Sequence, residues 1–264
     1  MKPICVVKIG GALVDSIESL QAISAQIDTL AKTHRVLIVH GGGPQATRMA
    51  AKLGHQPTIV EGRRVTTALD LEIIQATVCG TVNSQLVATL VGAGAHAVGI
   101  SGASASTVVV TKRPPWQIAG ESVDFGFVGD IRHIDPTLIE LLLRSGYVPV
   151  MATIGIDDAG RLYNVNADTT AAAIAASLQA DRFCIVTDSG GLLKDGSLIG
   201  VCDETLFQTG KLERWITDGM LVKLQAGFAA LDQGVECVEM VSVAGIMNGA
   251  GTQLVHSQET VEAS

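Results

Sequence analysis

A lysine followed by glycines at the end of an apolar segment is the first arrangement in the sequence that could do chemistry. Lys8 closes the run that starts at Ile4, and Gly10 and Gly11 come directly after Ile9. Burying an ammonium group without a partner is costly, and glycines allow backbone N–H groups to approach an anion closely. The pattern favours a phosphate contact for Lys8 over the common alternative, a lysine that reaches the surface from a strand end.

Two further apolar segments also end in glycines. Gly41–Gly43 follow the segment that ends at His40, and Gly190–Gly191 follow the segment Phe183–Val186. A single loop of this kind is commonly only a turn. In a parallel sheet, however, all three loops would emerge at the edge where open α/β sheets bind ligands. Together they indicate an anion site at that edge.

The familiar nucleotide-binding motifs do not account for these glycines. The sequence contains no G-x-x-x-x-G-K-[ST], which disfavours a P-loop kinase. The segment 92–97 matches G-x-G-x-x-A, but it follows a predicted helix and precedes a predicted strand. Dinucleotide-binding proteins have the reverse order. We therefore expect this segment to be the turn that ends a helix.

Several polar residues have an ordinary structural explanation beside a functional one. Asp168 precedes an alanine-rich helical segment and could be its N-cap. Asn164 could be a turn residue, and Lys223 would by default be a solvated helix lysine. Arg64 could be surface charge, although a guanidinium group is well shaped to bind a carboxylate. His40 is more typical of a packed histidine than of a metal ligand, and no Cys or His spacing indicates zinc.

Alternating helical and strand patterns predict an α/β protein with a mainly parallel sheet. The predicted strands are 5–9, 36–39, 97–100, 148–152, 183–186 and 238–244, and the predicted helices are 17–30, 81–91, 136–144, 169–178 and 217–230. Runs at 107–111 and 125–131 predict a small β-hairpin insertion that could form a lid or a substrate wall. A polar stretch at 157–164 places a soft boundary between lobes 1–160 and 161–264 within one continuous sheet. The tail from Ser257 is expected to fray.

Composition narrows the class of protein. The chain has 264 residues, 47% hydrophobic but only 3% aromatic, and a net charge of −8 with a pI near 5.2. An acidic chain argues against nucleic-acid binding. Five cysteines without C-x-x-C spacing indicate a reduced, cytoplasmic protein. With neither a signal peptide nor a membrane span predicted, we expect a soluble chain that does not bind a membrane.

Seven segments, taken in order, resemble the amino acid kinase family and, within it, the acetylglutamate kinase branch. They are Val7–Gly11, Val39–Pro44, Gly62–Thr66, Tyr163–Asp168, Thr187–Leu192, Asp218–Lys223 and Asn248–Thr252. The match covers almost the whole chain. It implies a three-layer αβα fold with substrate bound by the N-terminal lobe and MgATP by the C-terminal lobe.

The resemblance also implies roles for individual residues. Lys8 and Lys223 would contact the transferring phosphoryl group and Asp168 would orient them. Gly42 and Gly43 would hold the reacting carboxylate through their N–H groups, and Arg64 and Asn164 the α-carboxylate. The nucleotide would be lined by the residues Gly10, Gly11, Asp188, Ser189, Gly190, Gly191, Leu192, Leu193, Trp215, Ile216 and Thr217. No protein metal ligand is implied, since Mg²⁺ would be held mainly by the nucleotide phosphates.

The implied reaction is ATP-dependent phosphorylation of the γ-carboxylate of N-acetyl-L-glutamate in arginine biosynthesis. A γ-carboxylate is ionised at pH 7 and needs no general base, so the site must instead offset the repulsion between two anions. Many members of the family carry Ser-Gly-Lys-Asp where this chain has Ser101–Ser104, and the loop Lys112–Glu121, with Pro114-Pro115-Trp116, is distinctive. These differences leave the acyl group of the substrate open. N-succinyl-L-glutamate, an aminoadipate derivative and a catalytically silent nucleotide-binding regulator remain as alternatives.

The resemblance extends to the assembly. The sequence begins at its first predicted strand and lacks the N-terminal helix of the hexameric, arginine-inhibited branch. A homodimer is therefore the expected assembly.

Overall fold

The computed structural model describes residues 2–257, so the expectation for the tail lies almost wholly outside the described residues. The helices are α1 (Ile17–Ala31), α2 (Gly43–Lys52), α3 (Ala68–Ile74), α4 (Asn83–Gly92), α5 (Thr137–Arg144), α6 (Ala167–Ser177), α7 (Glu204–Leu212) and α8 (Asp218–Asp232). No helix among these residues has both the length and the apolar character needed to cross a membrane.

An eight-stranded sheet forms the centre of the molecule. The strands of the chain are β1 (Ile4–Ile9), β2 (Arg35–His40), β3 (Ile59–Val60), β4 (Arg63–Arg64), β5 (Ala97–Ser101), β6 (Val108–Lys112), β7 (Trp116–Ile118), β8 (Glu121–Val123), β9 (Gly129–Ile134), β10 (Val148–Ala152), β11 (Ile154–Ile156), β12 (Leu162–Asn164), β13 (Arg182–Val186), β14 (Leu192–Lys194), β15 (Ser197–Ile199), β16 (Val201–Cys202), β17 (Cys237–Val241) and β18 (Gly251–Leu254). The central sheet has the order β16-β18-β17-β13-β1-β2-β10-β5. Only β17 and β18 are antiparallel neighbours in it, which confirms the prediction of a mainly parallel sheet.

Helices cover both faces of the sheet. Successive side chains of β1 point to opposite faces. Ile4 and Val6 join the apolar core beneath α5, α6 and α8, whereas Cys5 and Val7 join the core beneath α1 and α4. Because β1 is buried on both faces, it is almost continuously apolar. The αβα sandwich expected from the sequence is confirmed.

The predicted β-hairpin insertion is part of a larger second sheet. Strands β6 and β9 are antiparallel, and the hairpin β7–β8 lies in the connection between them. β11 and β12 extend this sheet to the order β12-β11-β6-β9. The sequence pattern missed the last two strands because each is only three residues long.

One helical segment is longer than predicted. The helix expected at 81–91 continues α3 through π-helical turns at Gln75–Val82 into α4. A capping box starts it, because the Thr67 hydroxyl accepts the Asp70 N–H at 3.2 Å and the Asp70 carboxylate accepts the Thr67 N–H at 3.0 Å. The wider turns shift the apolar positions away from regular helical spacing, so periodicity identified only the second half.

Candidate active site

The three glycine loops lie at one edge of the central sheet. β1 pairs in parallel with both β2 and β13, and Ile9 is in register with His40 and with Val186. The loops after these three strands therefore leave the sheet at the same level. The sequence prediction of a shared edge is confirmed.

Lys8 and Asp168 form a buried ion pair at this edge. The Lys8 Nζ lies 2.7 Å from the Asp168 Oδ1, and the two side chains are 4% and 10% exposed. Burial lowers the pKa of Lys8 below its ordinary value; the nearby charge of Asp168 raises it again, while that of Lys223 lowers it further. Lys8 therefore does not extend to the surface, the ordinary alternative for a lysine at a strand end.

The N-cap interpretation of Asp168 is wrong. The cap of α6 is Asn166, whose side-chain oxygen accepts the N–H groups of Asp168 at 2.9 Å and Thr169 at 3.0 Å. Because Asn166 performs the capping, the Asp168 carboxylate in the first helical turn is available to Lys8. Asp168 thus links α6 to the central strand.

Lys223 lies on α8 and faces the same region as Lys8. Its Nζ donates to the Gly219 carbonyl oxygen at 3.2 Å. Lys8 and Lys223 line one open cavity of about 440 Å³, together with four residues predicted to bind nucleotide: Gly10, Gly11, Asp188 and Ser189. The cavity thus has two ammonium groups beside two loops.

The other residues predicted to bind nucleotide do not line this cavity. Leu192 is buried and donates its N–H to the Thr252 hydroxyl at 2.8 Å, whereas Leu193 is exposed. The Lys194 Nζ lies over the Trp215 ring, 5.0 Å from its centroid. Ile216, which precedes α8, is buried. The remaining three are Gly190 and Gly191, which have positive φ in the turn after β13, and Thr217, the residue that precedes α8.

A second cavity, of about 240 Å³, brings together all four residues predicted to bind the acceptor. Gly42, Gly43, Arg64 and Asn164 line it. A Cβ atom on Gly42 would lie 2.9 Å from the Val78 Cγ2, so this position requires glycine. The free N–H groups and the positive dipole end at the start of α2 suit a carboxylate.

Arg64 is held in place within this cavity. It donates to the Thr47 hydroxyl at 2.6 Å and lies 3.5 Å from the Asp70 carboxylate, and its side chain is 10% exposed. Asn164 donates to the Thr66 hydroxyl at 3.2 Å. Both side chains have further N–H donors beside these contacts, and both line the cavity.

His40 is a packed histidine, as predicted. Its Nδ1 lies 2.9 Å from the Gly41 carbonyl oxygen, which can only accept, so Nδ1 carries the proton. Nε2 accepts from the Asn83 side chain at 2.9 Å. Burial lowers the pKa of His40 to about 4. The imidazole is therefore neutral at pH 7.

Sequence comparison defines the family. The model of the amino acid kinase family matches residues 3–241, most of the chain. The chain belongs to the amino acid kinase family. Acetylglutamate kinase from Methanopyrus kandleri is 36% identical over 255 residues, with 94% of this chain and 98% of that protein covered. Acetylglutamate kinase from Sorangium cellulosum is 40% identical over 248 residues, with 89% and 86% covered.

The folds agree as well. The crystal structure of smu.665 from Streptococcus mutans UA159 superposes with a TM-score of 0.84 at 25% identity, covering 97% of this chain and 99% of that one. As an amino acid kinase, the chain is a phosphotransferase whose phosphoryl donor is ATP.

Sequence reasoning missed two features of this amino acid kinase. Gln45 of α2 bonds to the loop after β1, and Trp116 of β7 lies beneath two arginines of the second cavity. Both contacts join segments far apart in the chain. The only sequence signal was the unusual Pro114-Pro115-Trp116, which left the acyl group of the substrate open but did not indicate a contact with the arginines.

Proposed function

We propose that this amino acid kinase is an acetylglutamate kinase, which transfers the γ-phosphoryl group of ATP to the γ-carboxylate of N-acetyl-L-glutamate. The products are N-acetyl-L-glutamyl 5-phosphate and ADP, and the step belongs to arginine biosynthesis. The observation that carries the proposal is the pairing of two cavities at one sheet edge, one with ammonium groups and one with N–H donors that can bind a carboxylate. The loops that line them approach closely, since a Cβ on Gly11 would lie 3.2 Å from the Gly42 N.

The acceptor cavity suits a dicarboxylate. We assign the γ-carboxylate to the N–H groups of Gly42 and Gly43, where it faces the nucleotide cavity. The α-carboxylate is assigned to Arg64 and Asn164. A guanidinium–carboxylate contact is charge-assisted and directional, so it would fix which end of the substrate reacts.

The chemistry is a charge problem rather than a proton-transfer problem. The nucleophilic carboxylate is already ionised at neutral pH, and its approach to a phosphate is opposed by repulsion. We assign Lys8 and Lys223 to the transferring phosphoryl group, where positive charge stabilises the transition state. Asp168 is the positioning residue that holds the Lys8 Nζ at 2.7 Å.

Mg²⁺ fits this arrangement as an ion that arrives with ATP. The lining of the nucleotide cavity contains two lysines and a single carboxylate, Asp188, and the adjacent Asp168 is paired with Lys8. Mg²⁺ in kinases is bound through few carboxylates and the substrate phosphates. We propose that phosphate oxygens hold it and that it supplies neutralisation of phosphate charge.

The nucleotide is assigned to the C-terminal lobe, 161–264, and the acceptor to the N-terminal lobe, 1–160. Gly10 and Gly11 would contact the phosphates. The remaining nucleotide contacts are assigned to Asp188–Leu193 and Trp215–Thr217. Since most of these lie outside the cavity beside Lys8, they would serve the base and ribose. We further propose that the protein is a homodimer and acts in the cytoplasm on a small acylated amino acid. Light scattering would measure the mass of the assembly.

The decisive experiment is a coupled assay of ADP release with hydroxylamine trapping of the acyl phosphate. N-acetyl-L-glutamate, N-succinyl-L-glutamate and N-acetyl-L-aminoadipate are offered separately. We expect the highest kcat/KM for N-acetyl-L-glutamate and a hydroxamate product in equal amount to ADP. ATP binding without turnover of any acceptor would instead identify a nucleotide-binding regulator.

A further inference from the structure

Two arginines lie over one tryptophan at the acceptor cavity. The Cζ atoms of Arg63 and Arg113 are each 4.9 Å from the centroid of the Trp116 ring. This is within the range of a cation–π contact. Both arginines line the acceptor cavity that contains Arg64. We call Arg63, Trp116 and Arg113 the arginine–tryptophan cluster.

The surrounding residues hold this cluster rigidly. The Arg113 side chain donates to one oxygen of Asp130 at 2.6 and 2.9 Å, and its backbone N–H donates to the Val128 carbonyl at 2.8 Å. Phe125, which is fully buried, meets the Trp116 ring edge-on at 5.3 Å. The two prolines before Trp116 further restrict the backbone.

The charges at the acceptor cavity are not balanced. Arg64 lies near Asp70 and Arg113 is paired with Asp130, whereas Arg63 has no carboxylate within 4.0 Å among residues 2–257. Desolvation lowers the pKa of Arg63, the charge of Arg113 lowers it further, and Asp130 acts in the opposite direction. Packing alone would explain the contact of Arg113 with the Trp116 ring. Arg63 has no carboxylate partner among these described residues, so its charge adds repulsion between the two guanidinium groups.

The substrate supplies the missing acceptor. With the γ-carboxylate at Gly42 and Gly43 and the α-carboxylate at Arg64, the acyl group is the part of the substrate left without an assigned contact. The other cationic side chains that line this cavity are those of Arg63 and Arg113. An acyl carbonyl oxygen accepts hydrogen bonds, and donation from a guanidinium group is stronger than from a neutral donor.

We propose that Arg63 is a further substrate-binding residue that donates to the acyl carbonyl of the substrate, and that Trp116 is the positioning residue that holds it. The inference rests on the proposed function. It assigns the distinctive loop Lys112–Glu121 a role in selecting acylated over free amino acids. Arg113 completes the cluster and keeps the ring in place.

Steady-state kinetics of four variants test this. Arg63→Leu is expected to raise the KM for N-acetyl-L-glutamate by about tenfold or more, with kcat within about threefold and the KM for ATP unchanged. Trp116→Leu should raise the KM for N-acetyl-L-glutamate in the same way. Trp116→Phe keeps an aromatic ring face, so its KM should stay near the wild-type value. Arg132→Leu is the control, because Arg132 is paired with Asp158 at 2.6 Å and lies outside the acceptor cavity.

A ligand without an acyl group separates the acyl contact from the carboxylate contacts. Glutarate has both carboxylates, so its inhibition constant in Arg63→Leu should stay within about twofold of wild type. The proposal would be overturned if the inhibition constant of glutarate rose as much in Arg63→Leu as the KM for N-acetyl-L-glutamate. It would also be overturned if that KM stayed at the wild-type value. Wild-type protein that turns over no acceptor would refute the proposed function instead.

Direct binding gives a readout independent of turnover. The chain has two tryptophans, so Trp116 is the sole tryptophan in a Trp215→Phe background and can be excited selectively at long wavelength. N-acetyl-L-glutamate should change its fluorescence, and Arg63→Leu should raise the half-saturating concentration by about tenfold. A fluorescence titration unaffected by Arg63→Leu would contradict the placement, even in an inactive protein.

Discussion

The Gln45 side chain donates to the carbonyl oxygen of Gly11 at 2.6 Å and thereby ties α2 to the loop after β1. The same nitrogen lies 3.3 Å from Asp15. In the proposed mechanism, α2 presents the reacting carboxylate and the Gly10–Gly11 loop presents the phosphate. Gln45 therefore sets the spacing between the two reactants.

Replacing Gln45 by leucine should impair catalysis more than binding. Small misplacements of reacting groups cost up to about a hundredfold in rate, so we expect kcat to fall by about tenfold to a hundredfold, with both KM values within about threefold. Gln85→Leu is the control, since Gln85 lines the same small cavity as Gln45 without bonding to the loop in residues 2–257. Equal loss in both variants would exclude a specific role for Gln45.

Lys8→Arg should depress turnover far more than ATP affinity. Lys8 is buried beside Asp168, and a larger guanidinium group cannot place its charge at the same point. We expect kcat to fall by about a hundredfold or more, as for loss of a transition-state contact, with a severalfold change at most in the Kd for ATP. Lys32→Arg, 67% exposed, is the matched control. Unchanged turnover would remove Lys8 from the mechanism.

The pKa of Lys8 predicts an alkaline limb in the pH profile. Burial and Lys223 hold the pKa of Lys8 below the ordinary lysine value in the free protein. Bound ATP adds negative charge and must raise it. Since kcat/KM reflects the free enzyme and kcat the complex, the alkaline fall in kcat/KM for ATP should occur at lower pH than the fall in kcat. Coincident limbs would contradict this.

Arg64→Ala should raise the KM for N-acetyl-L-glutamate by about tenfold to a hundredfold and leave that for ATP unchanged, because a charge-assisted contact to the α-carboxylate is lost. Asp70 keeps His55 as a partner at 3.0 Å, so the fold should survive. Arg144→Ala, whose side chain is 57% exposed beside Glu140, provides the comparison. An unaltered KM rejects this placement of the substrate.

His40 should make the fold sensitive to acid. Its folded-state pKa of about 4 lies below the ordinary value of 6.5, so its contribution is complete above pH 6.5 and is lost as pH falls toward 4. Lowering a pKa by one pH unit corresponds to about 1.4 kcal/mol, so acidification to about pH 4.5 should cost about 2 to 3 kcal/mol of unfolding free energy through this group. Urea denaturation of His40→Gln at neutral and at acidic pH should show a smaller difference than wild type. His256 is exposed, so His256→Gln should show the same difference between neutral and acidic pH as wild type.

The sequence was most informative where local pattern decides structure. Apolar runs ending in glycine identified β1, β2 and β13 and the edge they share, and the glycines next to Lys8 favoured a role for it before any contact was visible. Lys223 does not follow an apolar strand or precede a pair of glycines, so the local sequence did not favour a role for it. Its place beside Lys8 depends on how α8 packs, which only the resemblance to known kinases anticipated.

Tertiary contacts account for what the sequence did not reveal. A helix cap was the ordinary alternative explanation for Asp168 because it precedes the alanine-rich run, but Asn166 is also a good cap residue and begins the helix two residues earlier. The partners Arg63 and Trp116 are separated by more than fifty residues in sequence. The segment of Arg63 is joined to the region of Trp116 by the parallel bridge between Thr66 and Gly126, which no local pattern specifies.

The position of β1 within the sheet has a consequence for synthesis of the chain. β1 leaves the ribosome well before two groups that complete it, since one of its two neighbours is β13, at Arg182–Val186, and the partner of Lys8 is at position 168. At roughly 5–20 residues per second, this strand waits about ten seconds or longer for the groups that complete it. Long-range closure of this kind slows folding, so the nascent chain presents an apolar strand that chaperones can bind before the active site exists.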